Sequence, residues 1–418
     1  MKYKFIEHVS KKEYELFVEN HESKSHFMQS YYFGEISKAK GFIPHYVGLK
    51  QGGKLVATAL LLQKKLFKNI CYFYSPRGYV LDYNNFDLIN EFTEEIKLFT
   101  KKHNSFYTAI DPDIKLQDID IDGNVIEGEN NFELVNYLKK LGYKHLGFNK
   151  NFENKEPRYT FRLDLSPTLE EIHKNMHATT RKVLNKGNQY NLDAYVGNEK
   201  DLEDFYFTMK ETAVREELKP FPFNYYKTFY NTFNKENKSD LYIVKVKIDE
   251  LISNYEEKIS DIKNSIQNLD SLKNKSKADN LLKEYNNQLN KLETEVQKFK
   301  EMKEKELILS SIITVKYGNK VWTVHGGNSN KLRELNSNYL LYDLIICDAK
   351  KENYDFIDFF GTTGADSEDN KIHGIHLFKK RLGGEYTEFV GEFHLITNNF
   401  IYFLYHKLIP IYRNIKKK

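Results

Sequence analysis

Two runs of regularly spaced apolar residues constrain the fold of this chain more than any other feature. Within residues 252–269, and again within 282–299, apolar side chains recur in steps of three and four. This spacing is typical of helices that pack along a common seam. A polar segment at 274–280 separates the runs, and residues 248–305 contain no proline or glycine. Because each run can bury its apolar stripe only against the other, the sequence predicts an antiparallel two-helix coiled-coil arm over 248–305.

The charge of the arm bears on what it binds. Residues 248–305 include 11 Lys and 12 Asp plus Glu, so the two signs nearly cancel. A phosphate-binding arm needs an excess of cations on one face. We therefore favour a solvated charged surface around an apolar seam over direct RNA binding. A role as a spacer or in protein contact stays open.

Composition places the rest of the chain among soluble globular proteins. The 418 residues suit two domains plus an appendage, with 40% hydrophobic and 29% charged residues. A net charge of +4 does not by itself indicate a nucleic-acid-binding protein. Cys71 and Cys347 lie in apolar segments far apart, which predicts buried thiols in a reducing compartment. No signal peptide and no run of about 18 apolar residues is present, so we expect a cytoplasmic protein.

The arm interrupts a predicted pair of strands. Apolar and β-branched residues fill 241–247 before the arm and 307–315 after it, so the arm occupies the turn of a β-hairpin. The first half has a similar hairpin, 45–50 and 55–63, with an ordinary turn. Each hairpin precedes a strand, helix, strand, helix and strand, at 71–78, 88–102, 106–111, 135–142 and 143–148 in the first half and at 321–327, 338–351, 356–361, 375–382 and 386–390 in the second.

This repeated order is the layout of the acetyltransferase-like α/β fold, and it predicts an internal duplication. We expect subdomain 1 at 1–165 and subdomain 2 at 166–247 with 306–400. A helix should begin near 166–171, where proline and acids precede an apolar pattern, and continue to Lys186 and Gly187.

The C-terminal segment, 401–418, is predicted to be basic and amphipathic. From Tyr405 onward it has five Lys or Arg and no acid. This composition fits contact with anionic lipid, and it fits a last helix docked on the core with a basic tail equally well.

Several short motifs occur in a fixed order along both halves. They are Ser25-His26-Phe27-Met28-Gln29-Ser30, Tyr74-Ser75-Pro76-Arg77-Gly78, Ile110-Asp111-Pro112, Gly326-Gly327-Asn328-Ser329, Asp358-Phe359-Phe360-Gly361 and Phe378-Lys379-Lys380-Arg381-Leu382-Gly383-Gly384. With the inserted arm, this set resembles the FemABX family of aminoacyl-tRNA-dependent transferases that build peptidoglycan interpeptide bridges. The resemblance covers essentially the whole chain.

The resemblance implies transfer of an amino acid from an aminoacyl-tRNA to an amine of a lipid-linked muropeptide precursor. It also implies a location in the cytoplasm, with peripheral contact at the inner face of the membrane, and homologous transferases as partners. The reaction is aminolysis of an activated ester, so the amine loses a proton and the carbonyl oxygen gains negative charge. Neither a metal nor a cofactor beyond aminoacyl-tRNA is expected.

The resemblance also suggests residues for the chemistry. Lys379 matches the lysine of a Phe-Lys motif and is expected beside the reacting carbonyl, and Asp111 matches an acid at a strand end. Substrate-binding candidates are Arg77, His325 and Lys38, with Lys40 as the alternative register for the last. Candidates for tRNA binding are Arg181, Lys182 and Lys186.

Each candidate also has a structural interpretation. Lys379 could lie on a solvated helix end, Arg77 in a structural ion pair and Asp111 in a turn before Pro112. His325 could be a partly buried histidine whose hydrogen bonds are made within the protein. The cations of 181–186 could form a solvent-exposed basic face of a helix. Two other functions stay open: a CoA-dependent N-acyltransferase, for which no clear pyrophosphate loop is found, and a non-catalytic scaffold. The scaffold is kept because Leu382 and His325 stand where the family usually has aromatic residues.

Overall fold

The computed structural model describes residues 3–67, 69–187, 190–271, 275–367 and 370–416. Its strands are β1 (Tyr3–Ile6), β2 (Ile43–Gln51), β3 (Lys54–Lys65), β4 (Cys71–Ser75), β5 (Val80–Leu81), β6 (Ser105–Ile110), β7 (Lys115–Ile119), β8 (Val125–Asn130), β9 (Tyr143–His145), β10 (Tyr159–Asp164), β11 (Asp193–Gly197), β12 (Leu241–Lys247), β13 (Glu306–Tyr317), β14 (Lys320–Asn328), β15 (Phe356–Asp358), β16 (Glu385–Phe389) and β17 (Phe393–Ile396). Its helices are α1 (Lys11–Glu19), α2 (Tyr31–Lys38), α3 (Phe86–Lys102), α4 (Phe132–Lys140), α5 (Leu169–Asn175), α6 (Ala178–Gly187), α7 (Leu202–Arg215), α8 (Phe223–Asn234), α9 (Ile248–Gln267), α10 (Lys275–Lys300), α11 (Ser337–Lys351), α12 (Asn370–Leu382) and α13 (Asn399–Lys416).

Two mixed sheets form the body of the molecule, and they repeat one arrangement. The first has the order β1-β2-β3-β4-β6-β17-β9, with β5 on β3, and the second has β11-β12-β13-β14-β15-β10-β16-β7-β8. In the first sheet the antiparallel β2–β3 hairpin precedes the parallel pair β4 and β6. In the second, antiparallel β12–β13 precedes the parallel pair β14 and β15. The predicted α/β fold with a duplicated layout is confirmed.

The two sheets exchange strands, so their membership does not follow the chain order. Strands β7, β8 and β10 lie within 1–165 but belong to the second sheet, whereas β17 follows most of the second half and pairs with β6 and β9 of the first. The predicted ranges, 1–165 against 166–247 with 306–400, therefore do not coincide with the two sheets. Hydrogen bonding across more than 200 residues decides this membership, and local pattern carries no information about it.

Helices α9 and α10 form the arm and run antiparallel. The rings of Tyr255 and Phe299 pack edge to face with centroids 5.1 Å apart, close to the base. Lys263 pairs with Glu293 at 3.0 Å farther out. The predicted helical hairpin is confirmed, but the predicted break at 274–280 is too long, because α10 already begins at Lys275. Residues 275–280 include no helix breaker and form a largely exposed helix surface. Residues 272–274 lie outside the described part.

The predicted continuous helix from 166 to 187 is wrong. It is divided into α5 and α6 at Met176, whose backbone is extended (φ −64°, ψ 153°). Met176 is buried, and the side chain of Thr180 donates a hydrogen bond to the carbonyl of Arg381 at 2.8 Å. Docking of this corner against α12 therefore overrides the helical pattern of the sequence.

The two cysteines are free. Cys71 is buried as predicted, whereas Cys347 on α11 is half-buried, so the expectation of burial fails there in part. Among the helices of the described residues, none combines the length and apolar character needed to cross a bilayer.

A buried ion triad joins the loop after β6 to the second sheet. Arg162 on β10 donates from Nη2 to Asp113 at 2.6 Å and from Nε to Asp358 at 2.9 Å. Both carboxylates are at most 5% exposed. Burial alone would raise the pKa of Asp113, but Arg162, His26 and Lys320 hold it well below its ordinary value. Asp358 also accepts the backbone N–H of Phe360 at 2.8 Å, which fixes the turn after β15.

Arg162→Met should therefore lower the free energy of unfolding at pH 7 by about 3–5 kcal/mol, since it leaves two buried carboxylates without their shared cation. Urea denaturation followed by circular dichroism measures this. Because the folded pKa of Asp113 is lowered, its contribution is present above the unfolded pKa and is lost in acid, so the difference from wild type should shrink below about pH 5. Arg333→Met, at an exposed position, is the control. A pH-independent difference would contradict the triad's role.

Candidate functional site

The carboxyl ends of the parallel strands β4 and β6 hold a buried acid. Asp111 is 3% exposed, and both of its oxygens are occupied. Oδ1 accepts the backbone N–H of Arg77 at 2.7 Å, and Oδ2 accepts the hydroxyl of Tyr74 at 2.8 Å. Burial raises the pKa of Asp111 to about 6, against the opposing effect of Arg77. Asp111 therefore fixes the turn that follows β4.

Arg77 lies in this turn with a left-handed backbone (φ 52°). Its guanidinium is buried, donates from Nη2 to the carbonyl of Pro157 at 2.7 Å, and stacks 4.5 Å from the centre of the Phe389 ring. The side chain thus links the first sheet to the segment that enters β10. Arg77 was predicted to bind substrate or to lie in a structural ion pair, but its guanidinium contacts a protein carbonyl and an aromatic ring.

Lys379 is buried on α12 and binds the turn that Asp358 fixes. Its Nζ donates to the carbonyls of Phe360 at 2.6 Å and Gly361 at 2.7 Å. Burial lowers the pKa of Lys379 to about 7, with Asp358 opposing the shift. An ammonium has three N–H donors, and these two carbonyls engage two of them.

Pro157 connects the two groups of residues. Its carbonyl accepts Arg77, and its ring packs so closely on Gly361 that any side chain at that glycine would collide with it. Since Gly361 also accepts Lys379, one continuous set of contacts runs from Lys379 through Gly361 and Pro157 to Arg77 and Asp111. Three predicted site residues are therefore brought together, although they are more than 30 residues apart along the chain.

The two lysines proposed for the substrate end differ in their surroundings. Lys38 is exposed and pairs with Glu35 at 2.7 Å. Lys40 extends over the rings of Phe221 and Tyr225, with Nζ 4.3 and 4.4 Å from their centres. Burial lowers the pKa of Lys40, and Glu156 opposes the shift. Lys40, the alternative register, is therefore the lysine that faces the aromatic residues of α8.

His325 lies beside Lys40 in an aromatic environment from α8 and the preceding loop. Ring centroids of Phe229 and Tyr226 are 4.9 and 5.2 Å away. Its Nε2 is buried and has no hydrogen-bond partner among the described residues. Burial, with Lys40, lowers the pKa of His325 to about 3, so the ring is neutral near pH 7.

The cations proposed for tRNA binding divide into two kinds. Arg181 donates to the carbonyls of Lys174 at 2.6 Å and Met176 at 2.7 Å, so it ends α5. Lys182 and Lys186 are exposed on α6. Burial and the charge of Lys186 lower the pKa of Lys258 at the base of the arm, so this end of α6 lies near the arm.

The sequence alone assigned no role to the aromatic residues at the start of α8 or to the acids Glu156 and Glu392. The aromatic run, Phe221-Pro222-Phe223-Asn224-Tyr225-Tyr226, is visible in the sequence, but a core interpretation explains it as well. Glu392 is 2% exposed and accepts His394 Nε2 at 2.7 Å. Only its pairing through β17 brings it to the first sheet.

Lys379→Met should remove both hydrogen bonds to the turn and cost about 1–3 kcal/mol of unfolding free energy. Because the folded pKa of Lys379 is lowered to about 7, the unfolded chain binds more protons between pH 7 and 10. The stability that Lys379 contributes therefore increases with pH in this window, and the difference from the variant should widen from pH 7 to 9. Denaturation curves at both values measure it. Lys380→Met is the matched control, since Lys380 lies on the same helix and pairs with Asp122 at 2.5 Å. A stability difference between wild type and Lys379→Met that stays constant with pH would contradict the burial argument.

Residues 9–409 match the FemAB family. Among curated relatives, the aminoacyltransferase FemA of Staphylococcus aureus strain bovine RF122 / ET3-1 and that of strain MRSA252 are each 28% identical over 401 residues, which is 92% of this chain and 93% of theirs. Among solved structures, a crystal structure of FemX superposes with a TM-score of 0.76 at 23% identity. It covers 97% of this chain and 99% of that chain, and it supports the fold.

Proposed function

We propose, from the premise that this chain belongs to the FemAB family, that it is an aminoacyltransferase of interpeptide-bridge synthesis. It transfers an amino acid from an aminoacyl-tRNA to an amine of a lipid-linked peptidoglycan precursor. The observation that supports this most is the buried set of contacts joining Lys379, Arg77 and Asp111 across the two sheets. It fixes the Lys379 ammonium where the two sheets are in contact.

Aminolysis of an ester needs stabilisation of the negative charge that develops on the carbonyl oxygen. Lys379 has one N–H donor beyond the two that bind Phe360 and Gly361. A fixed donor in a buried site stabilises such an oxygen without reorganisation. The ester of an aminoacyl-tRNA is already activated, so a covalent nucleophile is not required.

The surroundings of Lys40 suit the binding of the phosphate-bearing end of the precursor. Its charge lies over aromatic rings next to the neutral ring of His325, a combination of cation and apolar faces that suits a phosphate beside a sugar or base. The exposed Lys182 and Lys186 near the base of the arm are candidates for contact with tRNA phosphates. The arm itself has balanced charge and serves as a spacer or a surface for homologous transferases.

The test is transfer from tRNAs charged with one amino acid at a time to the lipid-linked precursor. We expect one amino acid to be transferred, and Lys379→Met to reduce kcat about 100-fold while KM for the precursor changes less than about 3-fold. Lys380→Met should resemble wild type. Equal losses in kcat and in precursor binding would count against Lys379. Failure with every amino acid, while acyl-CoA supports acylation, would favour a CoA-dependent N-acyltransferase. Failure with both would favour a scaffold.

The C-terminal helix α13 suits contact with the membrane that holds such a precursor. One face docks on the first sheet, where Tyr402 hydrogen-bonds His394 at 2.9 Å and Tyr405 packs on Phe106 at 5.1 Å. The opposite face exposes Phe400 (71%) and Phe403 (58%). An exposed apolar face flanked by cations and free of acids is typical of helices that lie in the bilayer interface. Residues 417–418 of the predicted basic segment lie outside the described part.

Phe400→Ser combined with Phe403→Ser should reduce co-sedimentation with vesicles of about 30% anionic lipid at least 5-fold, since most of the insertable apolar area is lost. The matched control replaces two equally exposed leucines elsewhere, Leu16→Ser with Leu98→Ser (64% and 62% exposed). Equal binding by wild type and the phenylalanine variant would contradict membrane contact through α13.

A further inference from the structure

Glu156 lies at the point where the two sheets are joined. It precedes Pro157, whose carbonyl accepts Arg77 and whose ring packs on Gly361, the residue that accepts Lys379. The backbone of Glu156 is therefore held between the predicted cation and the Arg77 turn. Its side chain is half-buried.

The charges that act on this carboxylate come from several elements. Two cations, Lys40 and Arg77, attract it, and two acids, Asp111 and Glu392, repel it. Its charge also affects the phenols of Tyr74 on β4 and Tyr225 on α8. Glu156 thus shares one electrostatic environment with residues of both sheets.

The three acids of this environment differ in their hydrogen bonds. Asp111 uses one oxygen for the N–H of Arg77 and the other for Tyr74. Glu392 accepts His394 with Oε1 and the N–H of Lys155 with Oε2, at 2.7 and 3.0 Å. Across the described residues, no hydrogen bond or ion pair reaches Glu156. A carboxylate whose two oxygens both already accept hydrogen bonds is a poorer acceptor for a substrate proton than one with neither oxygen engaged, so Glu156 is the most available of the three.

The pKa of Glu156 also suits the acceptance of a proton from a substrate amine. Burial raises the pKa of Glu156 to about 7, with Asp111 and Glu392 adding to the shift and Arg77 and Lys40 opposing it. A general base is most effective when its pKa lies near the working pH. The low values typical of exposed glutamate would make proton capture from an alkyl ammonium far less favourable.

We propose that Glu156 is the catalytic proton acceptor for the amine of the precursor, an inference that rests on the proposed function. The ammonium of the acceptor gives one proton to the carboxylate of Glu156, and the neutral amine attacks the ester carbonyl. A C–N bond forms, the C–O bond to the ribose breaks, and a second proton moves from nitrogen to the departing ribose oxygen. Glu156 then releases its proton to solvent, so the products are the amide, the tRNA hydroxyl and one proton.

The experiment measures transfer by wild type, Glu156→Gln, Glu156→Asp and the control Glu153→Gln, which changes an exposed acid three residues away. We expect Glu156→Gln to reduce kcat at pH 7 by 10²–10³-fold, with KM for the precursor changed less than about 3-fold. Glu156→Asp should retain part of the rate, and the control should equal wild type. Formate added to Glu156→Ala should restore activity at least 10-fold, whereas chloride should not.

The pH profile distinguishes a base from a structural acid. Because both pKa values are about 7, wild-type kcat should peak near pH 7, with a rising limb below it as Glu156 loses its proton and a falling limb above it as Lys379 loses its own. Glu156→Gln should lose the rising limb and keep the falling one. A structural role would lower the rate without changing the profile.

The outcomes distinguish the role of Glu156 from the proposed function on which it rests. If wild type transfers no amino acid, the proposed function fails and the role of Glu156 fails with it. If wild type is active and Glu156→Gln equals it, only the role of Glu156 is overturned. A change confined to KM would overturn it as well, because it would mean that Glu156 binds the ammonium without taking its proton.

Discussion

Two buried carboxylates, Asp113 and Asp358, share the guanidinium of Arg162, and the site depends on this constraint. Asp113 follows Asp111 by two residues, so the triad holds the end of β6 against the second sheet. Asp358 also orders the turn whose carbonyls bind Lys379. Buried ion pairs are costly to desolvate, and they give little net stability over an apolar replacement. Their value here is geometric, because they fix the register between two sheets that carry different parts of one site.

The same environment gives similar residues different roles. Both oxygens of Asp111 and of Glu392 accept hydrogen bonds, which fix a turn and a histidine, whereas no hydrogen bond from the described residues reaches Glu156. Burial brings the pKa of Glu156 and that of Lys379 close to 7 from opposite directions. Glu156 and Lys379 would thus supply a base and an acid that titrate near neutrality and are held by connected contacts. An uncatalysed aminolysis has neither.

The arm and α13 are attached to this body without contributing to the set of contacts that joins Lys379, Arg77 and Asp111. The arm leaves the second sheet between β12 and β13, and its seam closes through Tyr255 and Phe299. Helix α13 is docked by Tyr402 and exposes Phe400 on its other face. Under the proposed function, the arm is left for contact with a second protein and α13 for contact with a bilayer.

The sequence by itself determined the features that depend on local periodicity. The steps of three and four residues predicted the helical arm, and repeated apolar runs predicted the duplicated α/β layout, because each element buries its own stripe or face. Motif resemblance singled out Lys379 and Asp111 but left Lys38 and Lys40 undecided. Only the tertiary structure decided the strand exchange, the corner at Met176, the surroundings of Lys40 and the position of Glu156. These depend on contacts between residues far apart in the chain, and such contacts leave no local pattern.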